Sequence, residues 1–260
     1  MNQITRQRQL LQRLEQVRQM SIADVMSALG VSRDTARRDI VALTDQGLAQ
    51  RTHGGLQVLN FGSRIPSYAD RLHQFDAVKT GLAELVLPLM KVNQYLFIDV
   101  STILLKLTQL MTQKATVYTH SLDNAISLAT NPAVDLHLLG GALNQENRFF
   151  SGSATLSELT PIYFDQVFLG AAVVNERGIF YVDAGDAAIK RQALAQTLCG
   201  VLVCEHRKFG QIGIAHFCGG QLDQIQVLIT DEPLTTEEQS WFMPGTVMIN
   251  LMEEKTHDNN

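Results

Sequence analysis

A chain of 260 residues, 45% hydrophobic and 18% charged, has enough apolar material for a sizeable core and lacks the bias of a disordered or fibrous polypeptide. Its formal net charge of −5 is unevenly spread: residues 1–60 hold eight Lys and Arg against five Asp and Glu, and the remainder holds 13 against 21, which favours two modules over one. No apolar run approaches the roughly 18 residues of a membrane-spanning helix, MNQITRQRQLLQRL lacks an apolar secretory core, and Cys199, Cys204 and Cys218 lack tight metal-ligand spacing.

In chain order, Thr5 to Val17 reads as a helix with Leu10, Leu14 and Val17 on one face. Ser21 is placed to cap a second helix, with Asp24 at its third position and Ile22, Val25, Met26 and Leu29 as its apolar side. Gly30 ends it, and Ser32 caps a third helix whose Ala36, Ile40 and Leu43 face inward. Arg33, Thr35, Arg37 and Arg38 then face outward near that helix's start, where the helix dipole disfavours cations. Phosphate is the partner that would favour them there, and this is the arrangement by which a helix-turn-helix reads DNA. The rival reading is an arginine face pairing with Asp34 and Asp39. Gln46-Gly47 gives a turn, Leu48 re-enters the core, and Arg51-Thr52-His53-Gly54-Gly55-Leu56 reads as a hairpin wing.

The stretch VSRDTARRDIVALTDQGLAQRTHGG resembles the N-terminal winged helix-turn-helix of the bacterial DeoR family of transcriptional repressors. The resemblance covers most of residues 5 to 58 and departs at Ala36, where the family has a larger aliphatic residue. It implies that Ser32, Arg33, Thr35, Arg37, Arg38, Arg51 and His53 meet DNA.

Residues 59–75, with Gly62, Ser63, Pro66 and scattered charge, read as a linker between a DNA-binding domain over 1–58 and a second domain over 76–252. Ala77 to Met90 reads as a helix that Pro88 ends early. Strands are expected at Tyr95–Asp99, Thr116–Thr119, Val134–Leu139, Gln166–Leu169, Val201–Cys204, Val227–Thr230 and Val247–Ile249. Helices are expected at Thr102–Met111, Leu122–Thr130 and Ala187–Leu198. Continuous apolar strands alternating with helices argue for a Rossmann-like, largely parallel α/β domain.

Ligands of such sheets bind at the carboxyl ends of the strands. The residues there are Asp99, Ser101 and Thr102; Thr119, His120 and Ser121; Gly140 and Gly141; Gly170; and Lys208 in Glu205-His206-Arg207-Lys208-Phe209-Gly210. Asp183, Asp186 and Lys190 fall near the start of a further helix. Hydroxyls and free N–H groups at a helix start, with Lys190 and Lys208 nearby, suit a small, phosphorylated, hydroxyl-rich ligand. The plainer alternatives are that Ser101 only caps its helix, that Asp186 and Lys190 form a solvated i, i+4 pair, and that His120 and His137 are structural.

The resemblance continues over about residues 76 to 250. Phe97-Ile98-Asp99-x-Ser101-Thr102, Thr119-x-Ser121-Leu122, Leu139-Gly140-Gly141, Phe150-Ser151-Gly152, Asp186-Ala187-x-x-Lys190 and Lys208-Phe209-Gly210 resemble the DeoR-type sensor domain, which is similar in fold to ribose-5-phosphate isomerase. The chain has Val100 where the family has Gly, His120 for Asn, Asp186 for Glu, and Glu205-His206-Arg207 for Asp-x-Ser. The resemblance implies a cytoplasmic repressor of a carbohydrate-utilisation operon. Its partners would be operator DNA and a sugar phosphate, as a homodimer or tetramer, without cofactor, metal or membrane. The alternatives are an isomerase-like enzyme with a DNA-binding head, using Asp99, Asp183 or Asp186 as base beside Lys190, and a DNA-binding scaffold with a vestigial pocket.

Overall fold

A computed structural model describes residues 3–45, 49–57, 68–210, 213 and 215–253. The chain divides into two compact units, Met1–Pro66 with Asp70–Phe75 and Ser67–Ala69 with Asp76–Asn260.

The first unit builds α1 (Gln3–Val17), β1 (Gln19–Ser21), α2 (Ile22–Leu29), α3 (Arg33–Asp45), β2 (Gln50–Thr52) and β3 (Gly55–Gln57). A capping box starts α2: the Asp24 N–H donates to Ser21 Oγ at 3.2 Å and the Ser21 N–H to Asp24 Oδ2 at 2.8 Å. Gly30 ends it in the left-handed conformation at φ 62°. Leu10, Leu14, Val25, Ala36, Ile40, Leu43 and Leu56 form the core, each larger side chain worth about 1.5–3 kcal/mol on burial. The wing is a hairpin extended by a strand not anticipated from sequence, in the order β1-β3-β2. Pairing β1 with β3 brings the backbone of Met20 so close to Gly55 that a Cβ there would lie 2.0 Å from the Met20 carbonyl oxygen. The expected turn at Gln46-Gly47 and re-entry of Leu48 lie outside the described residues.

Part of the stretch read as a linker is helical: α4 spans Tyr68–His73. Pro66, the residue that argued against a helix, precedes α4 in sequence and lies outside the described residues. Gln74 and Phe75 form a turn after α4, and 59–67 lie outside the described residues.

The second unit runs α5 (Asp76–Val86), β4 (Gln94–Ile98), α6 (Thr102–Leu110), β5 (Ala115–Thr119), α7 (Leu122–Leu128), β6 (Val134–Leu138), β7 (Ala142–Asn144), β8 (Phe149–Ser151), α8 (Ser153–Leu159), β9 (Gln166–Leu169), β10 (Val173–Asn175), β11 (Gly178–Tyr181), α9 (Ala184–Leu194), β12 (Gly200–Val203), β13 (Phe217–Gly220), β14 (Ile225–Thr230), α10 (Thr236–Gln239) and β15 (Val247–Asn250). Every neighbouring pair in the seven-stranded sheet β15-β14-β12-β9-β4-β5-β6 is parallel. The expected Rossmann-like α/β architecture is what forms. One face packs Leu82, Val86, Leu104 and Leu107 against Ile98, Val117 and Val203; the other packs Leu159, Ile189 and Ala193 against Phe97, Val167 and Leu202.

The sequence reading omitted β7, β8, β10, β11, β13, α8 and α10. Most are three or four residues long, too short to display a period. Helix α9 starts at Ala184, three residues earlier than expected, because Asp183 caps it, accepting from the Gly185 and Asp186 N–H groups at 2.8 and 3.0 Å. It ends at Leu194, short of the expected Leu198.

Sheet order positions the site. From β4 the chain moves outward through β5 and β6; it then returns to the other side of β4 as β9 and proceeds through β12, β14 and β15. The order reverses between β4 and β9, the place where open parallel sheets hold ligands.

Candidate functional site

On α3, Ser32 precedes the helix and its Oγ lies 3.1 Å from Thr35 Oγ1. Arg33, Arg37 and Arg38 are exposed, as are Arg51 and His53 on the wing, and Thr35 is half-buried. Asp39 is fully buried, held bidentately by Arg6 from α1 at 2.7 and 3.0 Å. It therefore serves the core of this unit and not the arginines of its own helix, against the rival reading. Arg38 Nε donates to the Asp34 carbonyl at 3.4 Å.

In the second unit, Asp99 leaves the end of β4, His120 the end of β5 and Gly170 the end of β9; Asp186 and Lys190 come from the first turns of α9. Asp99 and His120 are fully buried, and Lys190 and Asp186 are 2% and 7% exposed, so the solvated-pair reading of Asp186 and Lys190 fails. The Lys190 Nζ lies 2.8 Å from Asp186 Oδ2 and 3.1 Å from Asp99 Oδ1. It also sits 3.7 Å from the centroid of the Tyr181 ring. His120 Nε2 meets Asp186 Oδ1 at 2.9 Å and lies 3.8 Å from Asp99 Oδ1. The Gly170 N–H donates to Asp99 Oδ2 at 3.1 Å, and the Tyr181 hydroxyl donates to the Gly170 carbonyl at 2.7 Å. A Cβ on Gly170 would lie 2.7 Å from Ser101 Cβ and Oγ, so this close approach of two loops requires glycine.

The two carboxylates are tuned apart. Burial pushes Asp99 up to about 6, although Lys190 and His120 oppose the shift. Burial acts the same way on Asp186, but Lys190 and the His120 hydrogen bond outweigh it and hold that carboxyl below its ordinary value. Tyr181 is pushed well up by burial, with Asp99 and Asp186 adding to the effect. Asp99, His120 and Asp186 also bring three metal-type ligand atoms within 4.8 Å. Between the carboxylates, however, the Lys190 ammonium already supplies the cation.

The other expected residues divide. Ser101 caps α6, its Oγ accepting from the Ile103 N–H at 3.3 Å, and Ser121 caps α7, accepting from the Asn124 N–H at 3.2 Å. The Thr119 hydroxyl donates to the Ile98 carbonyl at 2.6 Å and ties β5 to β4. Thr102 is buried at the start of α6. Gly140 and Gly141 are exposed, and the Gly140 carbonyl accepts from Thr155 Oγ1 at 2.5 Å. Lys208 belongs to a second cluster after β12, where burial would raise Glu205 but Arg207 and Lys208 hold it down at about 2. Sequence reasoning missed Tyr181 and Asn124, and named Asp39 only as a partner of the α3 arginines, where it pairs instead with Arg6. The run Gly178-Ile179-Phe180-Tyr181 was legible as a strand ending beside Asp183 and would have flagged Tyr181.

A basic, exposed recognition-helix face and a buried acid–lysine–histidine cluster at the switch point of a parallel sheet define a two-domain regulator with a DNA-binding head and a ligand-sensing body. The description of the DeoR-like helix-turn-helix domain matches residues 6–60, and that of the DeoR C terminal sensor domain matches residues 75–232. The chain belongs to the DeoR family of transcriptional repressors. It is 30% identical over 223 residues to the HTH-type transcriptional repressor GlcR of Bacillus subtilis, covering 85% of this chain and 86% of that one. It is 26% identical over 259 residues to the glycerol-3-phosphate regulon repressor of Haemophilus influenzae, covering 98% and 96%. These relatives are regulators, and so is this chain; the enzyme alternative is not favoured. Among solved structures, ribose 5 phosphate isomerase A from Neisseria gonorrhoeae aligns with 52% of this chain and 54% of its own, at 15% identity and a TM-score of 0.36. Among the described residues no helix is long and apolar enough to cross a membrane.

Proposed function

We propose that this repressor controls a carbohydrate-utilisation operon in the cytoplasm, as a homo-oligomer. Its effector is a sugar phosphate or a related polyol phosphate, bound at the Asp99–His120–Asp186–Lys190 cluster. One observation carries the reading: His120 Nδ1, Asn124 Oδ1 and Asp99 Oδ1 are buried there without a hydrogen-bond partner, the last held only by ion contacts to Lys190 and His120. Buried polar groups are seldom left unsatisfied, and hydroxyl groups of a ligand supply both the donors and the acceptor this set lacks. The relatives' names add support, since one of them represses a glycerol-3-phosphate regulon.

The effector then acts by preferring one arrangement of the DNA-binding heads, and DNA alters effector affinity by the same factor. Ser32, Arg33, Thr35, Arg37, Arg38, Arg51 and His53 meet the operator. The test is a thermal-shift screen of phosphorylated sugars and polyols, followed by operator binding with and without the hit. A hit whose stabilisation is lost in Asp186→Asn and which changes operator affinity upholds the reading. Stabilisation by no member of the panel overturns it.

A further inference from the structure

The sheet ends at β6, and among the described residues no strand pairs with its outer side. The Ala115 N–H donates to the Ala133 carbonyl and the Leu139 N–H to the Thr119 carbonyl, bracketing the β5–β6 ladder. In a parallel ladder backbone groups alternate in direction, so Asp135 and His137 face β5 while Val134, Leu136 and Leu138 turn their N–H and C=O groups outward. The Val134 N–H is taken by the Asn131 carbonyl at 3.2 Å; the N–H groups of Leu136 and Leu138 have no such turn. Native edges are usually blunted by proline, lysine or a bulge. This one has none of these. It carries a carboxylate and an imidazole two positions apart, Asp135 and His137, whose Oδ2 and Nε2 lie 3.4 Å apart within the strand.

That pattern is complementary to itself under a two-fold axis. Placing an antiparallel copy with Leu136 opposite Leu136 lets the two residues exchange both N–H···O bonds, and each Leu138 N–H then meets the Val134 carbonyl across the axis. In this register each Asp135 stands opposite the His137 of the second copy, twice per interface, as a closely spaced non-hydrogen-bonded pair. Both side chains lie on one face of the sheet. Stacking of His137 on Tyr118, with ring centroids 4.4 Å apart and 12° between planes, holds the imidazole there. On the other face Val134 and Leu136 pack partly against the core, and Leu138, 38% exposed, would gain an apolar neighbour in the second Val134. The opposite edge of the sheet, Val247–Asn250, carries no charge and offers no such match.

We propose that β6 is a dimerisation edge, and that two copies of this chain join through antiparallel β6 strands centred on Leu136 into one continuous sheet. The inference stands independently of the effector reading. The test uses the full chain. Sedimentation equilibrium should show a dimer at micromolar concentration, and amide exchange should show Leu136 and Leu138 protected in the dimer and exposed on dilution. Asp135→Lys, at an exposed position, sets lysine opposite histidine twice and should weaken the dimer roughly tenfold. Asp135→Lys with His137→Asp sets lysine opposite aspartate across the axis and should bring the affinity back. A monomer at every concentration would overturn the proposal. So would a dimer in which the Leu136 and Leu138 amides exchange freely, or a dimer whose affinity ignores Asp135→Lys. The exchange measurement is made on the unaltered chain and does not depend on the variants folding.

Discussion

His120 Nε2 lies 2.9 Å from Asp186 Oδ1, while the other oxygen of the same carboxylate holds Lys190 at 2.8 Å. The resemblance places Asn and Glu at these two positions; here the two residues are partners, a longer side chain after β5 meeting a shorter one from α9. We expect the two departures to compensate each other. His120→Asn alone should shorten one side without lengthening the other, leave a buried carboxylate oxygen unpaired, and cost about 2–3 kcal/mol. His120→Asn with Asp186→Glu should recover at least about 1 kcal/mol of that as coupling. Urea unfolding of the four proteins measures the cycle; strict additivity would show that the pair is not matched.

Asp99 predicts a pH dependence. Its folded-state value of about 6 lies above its ordinary 3.8, so between those values the folded protein keeps a proton that the unfolded chain releases. Stability from this group is therefore fully present below pH 4 and falls as pH rises through 6. The effect is on the order of a few kcal/mol. Asp186, held below its ordinary value, acts in the opposite sense and only at lower pH. The stability difference between the unaltered chain and Asp99→Asn, measured at pH 4, 5, 6 and 7, should move against the unaltered chain across that window. A flat difference would remove Asp99 as the titrating group.

Arg37 and Arg38 are exposed on α3, and the neighbouring carboxylate of Asp39 is committed to Arg6. Replacing both arginines with Ala should lower operator affinity and reduce the salt slope of binding by roughly two, near one unit for each lost phosphate contact. Far-UV circular dichroism and effector binding should be unchanged. An unaltered slope would move the DNA interface elsewhere.

Gly170 and Val100 flank the same loops. Gly170→Ala should force the Ser101 loop away, at a cost of about 1–3 kcal/mol in stability, and should abolish effector binding because the Gly170 N–H positions Asp99. Val100 is half-buried and outside the left-handed region, so it holds its loop with a branched side chain where a glycine would allow close backbone approach. Val100→Gly should tighten phosphate-ester binding by about 1–2 kcal/mol, one charge-assisted hydrogen bond. Calorimetry with the panel that gave the thermal-shift hit reads both effects.

Sequence by itself determined the DNA-binding module, because its determinants are local. Ser21 and Asp24 cap a helix three residues apart, Gly30 ends it, and the arginines of α3 alternate with Ala36, Ile40 and Leu43 at helical spacing. It also determined the α/β class, from apolar runs long enough to show their character, and it placed Asp99, His120, Gly170, Asp186 and Lys190 near strand ends. Only the tertiary structure decided which of these meet. His120 and Asp186 are 66 positions apart and Asp99 and Gly170 are 71 apart, and no periodicity connects them. The three-residue strands and the role of Tyr181 were decided the same way. So was the separation of Asp99 from Asp186 in proton affinity, since both are aspartates in sequence. Their difference arises from desolvation and from the distances to one lysine, and both quantities exist only once β4, β5, β9 and α9 have packed together.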